Sequence, residues 1–479
     1  MDKRAFHHRI AFGVWLNDFR SEPITNEKWP SVIIDQQTMS DFQQTMRFIH
    51  RAGFTAIDLF GLLTNRDWPQ DIETVISSDR KALVDRLIEI VHSHNLELIY
   101  GLGVYSWGFD TIIQNNPEVR GTNPSTMCGS REKARVLMEK VIDFVGENFA
   151  VDGYHLEAAD QGRCRCEDCS KEDDITYYNR LNQQTATSIR TRWPEKILLV
   201  NTSGYLPWGD WIPAEDFHSV FDLGRTIDIF IDGGNHGQFI YEEDRQQFIA
   251  QLPCEYGTSG GFWIYPPQRW DRLRWFLPYF MKSAAHLRQL YLYGSRSCEL
   301  YLGPLNNPGT EMTLFCLGRF LQDVDQNPLD LLEAAAEEIY QIHNPVQRHI
   351  FVELFHDAEM AFFNHSFPHR LTNLPEKYSD GIDTLFPWSK MHQERAIPGE
   401  FFLDSLLGEY PPFPVYLALH MNREGRLRYR KELGKLLKMV KSLLVIGGKS
   451  WYRVRSIERC IQNVIQDLDM IHAIPELNI

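Results

Sequence analysis

Three carboxylates end or follow short apolar segments in the first two-thirds of the chain. Glu157 ends the segment 152–157, Asp232 follows the run 227–231, and Glu299 follows the run 289–293. Hydrolysis of a glycosidic bond usually needs two carboxyl groups, one that protonates the leaving oxygen and one that acts as base or nucleophile. The sequence therefore predicts Glu157 as the main catalytic residue, with Asp232 and Glu299 as further catalytic candidates.

The assignments of Glu157 and Asp232 have purely structural alternatives. Glu157 lies close in sequence to Arg163, and an ion pair between them would need no catalytic role. Asp232 begins an Asp-Gly-Gly sequence, in which aspartate commonly accepts hydrogen bonds from turn amides. The sequence leaves these alternatives open.

Aromatic and polar side chains in comparable positions predict contacts with a carbohydrate. Tryptophan rings suit the apolar faces of sugars, although they also fill space under long loops. His236 lies near Asp232 and can pair with it to activate water, and Asp160 follows Glu157 by three residues and can orient it. An arginine suits the carboxylate of an acidic sugar. The predicted substrate-binding residues are Trp15, Asp18, Asp58, Trp107, Asp160, His236, Trp263 and Arg296.

Cysteine spacing predicts a metal site. Cys164, Cys166 and Cys169 follow the segment that ends at Glu157, and Cys128 lies in the preceding connection. Four thiolates from two adjacent loops suit a tetrahedral structural zinc site, which would hold the loop that carries Glu157. Buried free thiols remain the alternative, because this spacing is tighter than that of common zinc knuckles. We expect no cofactor to be required for catalysis.

The elements that must position these residues alternate between short apolar runs and longer amphipathic stretches, a pattern typical of repeated βα units and a parallel sheet. The predicted strands are 9–16, 56–60, 96–102, 153–156, 197–201, 227–231, 261–265 and 289–293. The predicted helices between them include 39–52, 79–95, 131–149 and 174–193. We predict an α/β fold, a closed (β/α)8 TIM barrel with its active site at the C-terminal ends of the strands. An open doubly wound sheet is less favoured, because no Gly-x-Gly-x-x-Gly follows the first strand.

Beyond residue 307 the strand pattern ends and helical periodicity replaces it. The predicted helices are 311–322, 329–342, 345–364, 422–445 and 452–471, and the connection 367–414 is expected to be a long ordered loop. The sequence therefore predicts a catalytic barrel at 1–307 and an all-helical domain at 308–479. We expect the helical domain to cap the barrel. Its aromatic segment 362–367 leaves a substrate contact or a homodimer contact open.

Composition and charge exclude some partners. Of the 479 residues 43% are hydrophobic and 24% are charged, as in globular proteins, and the formal net charge is −15. An acidic chain is a poor partner for nucleic acid or for an anionic membrane. The N-terminus lacks an apolar signal region, and no run reaches the ~18 apolar residues of a transmembrane helix. We therefore predict a cytoplasmic protein that binds a carbohydrate and neither nucleic acid nor membrane.

The run 152–166, with the sequence DGYHLEAADQGRCRC, resembles the fourth-strand region of barrel glycoside hydrolases. These are the alpha-glucuronidase (family 67) and beta-hexosaminidase-like barrels and their uncharacterised bacterial relatives. The resemblance covers about residues 96–170 and implies that Glu157 is the general acid. The Asp-Glu pair of the beta-hexosaminidases is absent, because Leu156 precedes Glu157 and Ala158 follows it. N-acetyl-assisted hydrolysis is therefore not implied.

The leading interpretation is an exo-acting glycoside hydrolase in which Glu157 is the general acid and Asp232 or Glu299 is the base or nucleophile. The alternative is a metal-dependent sugar isomerase or epimerase, because the run 53–59 is similar to the second strand of xylose-isomerase-like barrels. Its candidate metal ligands are Glu157, Asp232, His236 and Glu299. A barrel that binds carbohydrate without activity is the least favoured of the three interpretations.

Overall fold

The structure is a computed structural model. It describes residues 3–15, 33–63, 68, 71–158, 162–201, 217–232, 242–258, 275–302, 305, 307–366, 423–447 and 452–473. None of the described helices is both long and apolar enough to cross a membrane.

Eight parallel strands close into a barrel in which each strand pairs with the next strand in the chain. The strands are β1 (His8–Trp15), β2 (Ala56–Gly61), β3 (Glu97–Gly103), β4 (Gly153–Glu157), β5 (Ile197–Asn201), β6 (Ile229–Asp232), β7 (Glu255–Thr258) and β8 (Ser297–Tyr301). Apolar runs suit strands that are covered on both faces. The predicted (β/α)8 barrel is confirmed.

Helices connect the strands. They are α1 (Gln36–Ala52), α2 (Ser78–Ser93), α3 (Asp110–Asn115), α4 (Glu132–Asn148), α5 (Asp174–Arg192), α6 (Phe217–Gly224), α7 (Glu242–Gln251) and α8 (Phe280–Tyr293). Local sequence sets the ends of α1, because the Asp35 side chain accepts the N–H of Thr38 and Gly53 ends the helix with a φ of 96°. The helices predicted at 39–52, 79–95, 131–149 and 174–193 are confirmed.

The predicted eighth strand is wrong. The run 289–293 is the end of α8, in which Ala284, Leu287 and Leu290 are buried at helical spacing. A short apolar run does not by itself distinguish a strand from a buried helix. The true seventh strand, β7, has a weak pattern, because it contains a glutamate, a glycine and a threonine. The run 261–265 lies outside the described residues.

The barrel interior is apolar toward the N-terminal ends of its strands. One fully buried cluster contains Ile10, Ala56, Ile99, Leu199, Ile229 and Ile231. Side chains alternate between the two faces of a strand, so residues two positions apart share a face. Asp58 follows Ala56 by two positions and therefore lies on the interior face of β2, one layer closer to the C-terminal ends of the strands.

Contacts divide the chain into two compact units. One contains Phe6–Ser259 and Leu292–Leu300, and the other contains Met1–Ala5, Gly260–Tyr291 and Tyr301–Ile479. The second unit includes α9 (Pro308–Phe320), α10 (Pro328–Tyr340), α11 (Pro345–Ser366), α12 (Arg423–Gly447) and α13 (Tyr452–Ala473). The predicted helical C-terminal region is confirmed. The boundary between residues 307 and 308 stays a prediction, and the connection 367–414 lies outside the described residues.

A buried hydrogen bond supports the second unit. The indole N–H of Trp275 donates to Oδ2 of Asp467 at 2.7 Å. Asp467→Ala removes the acceptor, and we expect it to lower the free energy of unfolding by about 1–3 kcal/mol, because the indole N–H stays buried. Urea unfolding followed by far-UV circular dichroism measures this change.

Asp469→Ala, on the same helix, is the control for that measurement. It breaks an exposed ion pair with Arg430, and such pairs contribute at most about 1 kcal/mol. Equal losses in the two variants would contradict a buried hydrogen bond between Trp275 and Asp467.

Candidate active site inside the barrel

Three ionisable side chains meet inside the barrel. Asp58 lies on β2, His155 on β4 and Glu299 on β8, and their side chains are 0%, 3% and 2% exposed. Nδ1 of His155 lies 2.5 Å from Oδ2 of Asp58 and 3.8 Å from Oε1 of Glu299. We call these residues the buried triad.

The polar atoms of the buried triad are only partly satisfied. Asn201, at the end of β5, donates to Oε2 of Glu299 at 2.8 Å. Among the described residues, no hydrogen-bond partner exists for Oδ1 of Asp58, Nε2 of His155 or Oε1 of Glu299. Each such buried atom costs about 1–3 kcal/mol, so native proteins contain few of them. A proton shared between the two carboxyl groups would satisfy the two oxygen atoms, and a polar ligand would satisfy Nε2 of His155.

Burial sets the charge of the triad. It raises the pKa of Glu299 to about 8, and the nearby Asp58 adds to this rise. Burial also raises the pKa of Asp58 well above its ordinary range. Burial lowers the pKa of His155, while the charges of Glu299 and Glu157 act in the opposite direction. Because burial favours the neutral form of all three groups, the triad resists carrying net charge.

Aromatic rings cover one side of the triad. The ring of Phe60 lies edge-on to those of His155 and Trp107, with ring centroids 4.8 Å apart in each pair. Phe12 adds a third ring, 5.9 Å from His155. Gly101 of β3 makes room for Phe60, because a Cβ at this position would lie 2.1 Å from the phenyl ring. Phe60 therefore joins the buried imidazole to a predicted sugar platform, Trp107.

Glu157 lies above the triad. It is the last residue of β4, two positions beyond His155, and therefore shares its interior face. It is 9% exposed, more than any member of the triad. Glu157 thus lies closest to the C-terminal ends of the strands, where the active sites of (β/α)8 enzymes are found.

The loop after β3 is held against the end of β4. Oγ of Ser106 donates to the carbonyl oxygen of Ala158 at 3.1 Å, and the N–H of Met127 donates to the carbonyl of Tyr105 at 2.7 Å. Tyr105 and Trp107 have φ values of 60° and 56°, which bulky residues rarely adopt. Strain of this kind persists only where surrounding contacts hold it, and it is concentrated at functional sites.

The structure brings the four predicted metal ligands together. Cys128 precedes α4, and Cys164, Cys166 and Cys169 precede α5. All four are free thiols, and their Sγ atoms lie within 4.8 Å of one another. Two loops at the C-terminal side of β3 and β4 therefore meet at one cluster of sulfur atoms.

Two predicted substrate contacts lie elsewhere than expected. Asp58 is in the middle of β2 and fully buried, so it belongs to the triad and does not face the barrel mouth. Arg296 precedes β8, and its backbone N–H donates to the carbonyl of Tyr256. It lies at the N-terminal end of the barrel, opposite the predicted site, because β8 begins later than the sequence indicated. Arg296 is therefore not part of the candidate site.

The remaining predicted site residues are described only in part. Asp232 ends β6 and Trp15 ends β1, but the side chains of both lie outside the description. Four further residues lie wholly outside the described ranges, namely Asp18, Asp160, His236 and Trp263. Their predicted roles stay predictions.

Sequence reasoning missed His155 and Asn201 as site residues. His155 lies two positions before Glu157, and strand alternation alone places both on one face. Asn201 is the last residue of a predicted strand, and a polar side chain at a strand end indicates a site residue in a (β/α)8 barrel. Neither residue type suggests hydrolysis by itself, and the carboxylates nearby are the stronger signal for that chemistry.

The raised pKa of Glu299 has a consequence for stability. Between its ordinary value of 4.5 and about 8, the folded chain keeps a proton that the unfolded chain releases. The stability that this proton gives the folded chain is therefore fully present below about pH 4.5, and it is lost as the pH rises through about 8. Glu299→Gln should flatten the fall in unfolding free energy over this window by on the order of 1 kcal/mol per pH unit.

Urea unfolding at several pH values within that window checks this expectation. Glu89→Gln, which changes a carboxyl group with a 66% exposed side chain, is the control and should keep the wild-type profile. A Glu299→Gln profile parallel to that of the wild type would rule out the raised pKa.

Comparisons with known proteins find similarity in structure only. No family model matches the sequence, and no curated protein matches it. A GH138 enzyme described as targeting pectin rhamnogalacturonan II matches with a TM-score of 0.56 at 8% identity, over 98% of this chain and 71% of that chain.

Two other solved structures match at TM-scores too low to establish a common fold. CpGH84B matches with a TM-score of 0.48 at 9% identity, over 98% of this chain and 74% of that chain. A Thermobaculum terrenum O-GlcNAc hydrolase matches with a TM-score of 0.46 at 11% identity, over 98% of this chain and 96% of that chain. The similarity to the GH138 enzyme is one of fold alone. This chain therefore shares a barrel fold with one glycoside hydrolase of known structure.

Proposed function

We propose that this chain is a glycoside hydrolase that uses carboxylate acid/base chemistry at the C-terminal ends of its barrel strands. The observation that carries the proposal is the position of Glu157 directly above the buried triad. A barrel core gains nothing from three buried titratable groups, whose desolvation is costly. Such groups are concentrated at active sites. The fold shared with a GH138 enzyme adds support by analogy.

Glu157 is the proposed general acid. It ends β4 on the interior face and is the most exposed of the four ionisable groups. From this position its carboxyl group can protonate the oxygen of a leaving sugar. Trp107, whose ring packs against Phe60, is the proposed platform for the apolar face of the sugar ring.

Asp232 is the preferred base or nucleophile. It ends β6 at the same end of the barrel as Glu157. Glu299 suits this role less well, because its side chain is 2% exposed and a pKa of about 8 keeps it protonated at neutral pH. We therefore assign Glu299, with Asp58 and His155, a positioning role beneath the reacting groups.

The proposal includes exo action, the release of a terminal sugar. The target described for the GH138 enzyme makes pectic oligosaccharides one substrate class to test. Glucuronides, galacturonides, hexosaminides and sialosides are the others. Phenyl monoglycosides of these sugars present a single sugar residue and therefore report exo action directly, and their poor leaving group makes cleavage depend on the general acid.

The test measures sugar release from this panel by the wild type, by Glu157→Gln and by Glu147→Gln, a control on α4. We expect the wild type and the control to cleave at least one class, before and after brief treatment with a chelator, and Glu157→Gln to lose most of the rate. Circular dichroism verifies that each sample is folded. Cleavage of no substrate would withdraw the proposed hydrolase activity.

The metal-dependent isomerase or epimerase remains the second candidate, for one reason. The buried triad offers three ligand atoms within 4.8 Å of one another. Conversion of a free sugar into its isomer, lost on chelation while the fold is retained, would favour this candidate. The 2.5 Å hydrogen bond between Asp58 and His155 disfavours it, because it already occupies one ligand atom of each.

A further inference from the structure

The four cysteines near the strand ends form a cluster that the proposed hydrolysis does not use. Cys128, Cys164 and Cys169 are each 1% exposed, and Cys166 is partly exposed. Sγ of Cys128 lies 3.7 Å from that of Cys166 and 3.8 Å from that of Cys169. A disulfide requires about 2.05 Å between sulfur atoms, so these contacts are not disulfides.

The sulfur separations fit a single tetrahedral metal ion. Zinc binds thiolate sulfur at about 2.3 Å, and a tetrahedral arrangement then places the sulfur atoms about 3.8 Å apart. The two measured separations agree with this value, and all four sulfur atoms lie within 4.8 Å of one another. Pairwise packing of buried thiols does not require four sulfur atoms to surround one point.

Groups around the cluster suit thiolate ligands. The N–H of Thr122 donates to Sγ of Cys164 at 3.4 Å, and Oγ of Ser130 lies 3.1 Å from Sγ of Cys128. Hydrogen bonds of this kind orient metal ligands and reduce their charge. The neighbouring loops thus provide donors for sulfur atoms that come from two different segments of the chain.

Two arginines place positive charge beside the cluster. Arg163 has a 1% exposed side chain, donates to the carbonyl of Cys169, and lies with Cζ 4.1 Å from the centroid of the Tyr177 ring. Arg180 lies 5.4 Å from the same centroid and donates to the carbonyl of Gly129. Each guanidinium also pairs with a carboxylate, Arg163 with Asp174 and Arg180 with Glu172, so these residues hold the cysteine loops against the start of α5.

We propose that Cys128, Cys164, Cys166 and Cys169 bind one zinc ion through four thiolates, and that the ion links the loop after β3 to the loop after β4. Binding releases the thiol protons to solvent. Four protein ligands leave no open position, so the zinc is structural and takes no part in catalysis. The linked loops carry Ser106 and the residues that follow Glu157, so the zinc fixes the surroundings of the candidate acid.

The first test measures zinc in the full chain, purified without a metal-affinity step, by inductively coupled plasma mass spectrometry. We expect one zinc per chain, and we expect a mercurial reagent to release it as four thiols react. Cobalt(II) exchanged into the wild type should give sulfur-to-cobalt charge-transfer bands and the strong visible bands of a tetrahedral site. These measurements use the wild type and stand even where a variant fails to fold.

Variants then locate the site. Cys128→Ser and Cys164→Ser should lose most of the zinc, while Cys254→Ser, a partly buried cysteine outside the cluster, should retain it. Wild-type chain with far less than one zinc, with iron in its place, or with disulfides among these four cysteines would overturn the proposal. None of these readouts depends on glycoside cleavage, so the zinc site and the hydrolase stand or fall separately.

Discussion

Glu157→Gln is expected to lower kcat by about 10²–10⁴-fold on glycosides whose leaving group is a sugar, and much less on dinitrophenyl glycosides of the same sugar. A sugar alkoxide is a poor leaving group and needs a proton from the general acid as the bond breaks. Dinitrophenolate leaves without that proton. The loss therefore depends on the leaving group, and kcat for the two substrates measures it.

The comparison with Asp232→Asn makes this expectation specific. A base or nucleophile acts whatever the leaving group, so we expect Asp232→Asn to reduce cleavage of both substrates by similar factors. Equal losses on both substrates in Glu157→Gln would show that Glu157 is not the general acid. The pH profile adds a check, because loss of the acid should remove the fall in activity on the alkaline side.

Asp58→Ala is expected to lower the free energy of unfolding by about 2–5 kcal/mol. It removes the partner of Nδ1 of His155 and a neighbour of Glu299, and it leaves a cavity in an otherwise close-packed interior. Urea unfolding at neutral pH measures the loss. Burial of these ionisable groups costs free energy, and shortening one of their side chains therefore destabilises the folded chain further.

Asp58→Asn is the matched control for this variant. It retains the size of the side chain and an oxygen that accepts from His155, so we expect a much smaller loss of stability. An Asp58→Ala chain as stable as the wild type would mean that the triad is not hydrogen-bonded in the folded protein. A large loss in Asp58→Asn would instead mean that the negative charge itself is needed.

Sequence patterns specify most of the barrel because each element has its own period. The strands at 56–60 and 197–201 and the helices at 131–149 and 452–471 are continuous patterns of one kind, and the structure has them close to these limits. The predicted eighth strand is misplaced because the end of α8 has an apolar run, and β7 is not predicted at its position because it is short and polar. Register and closure of the barrel decide such segments, and neither is a local property.

Much less of the candidate site follows from the sequence. Glu157 is predictable because strand ends form one rim of the barrel, and the cysteines are predictable because their spacing is unusual. The buried triad is not, since Asp58, His155 and Glu299 are far apart in the chain and only barrel closure brings them together. Burial, which changes the pKa of all three, is likewise a property of the folded chain.

The order of the strands along the chain has a consequence for synthesis. One compact unit contains residues up to Ser259 and then only Leu292–Leu300, which includes most of β8. Until that segment leaves the ribosome, the nascent barrel is an open sheet whose β1 and β7 edges expose unpaired backbone groups, a state prone to aggregation. Glu299 arrives with the strand that closes the sheet. Chains stalled before this point would therefore depend on chaperones, and would hold Asp58 and His155 without their third partner.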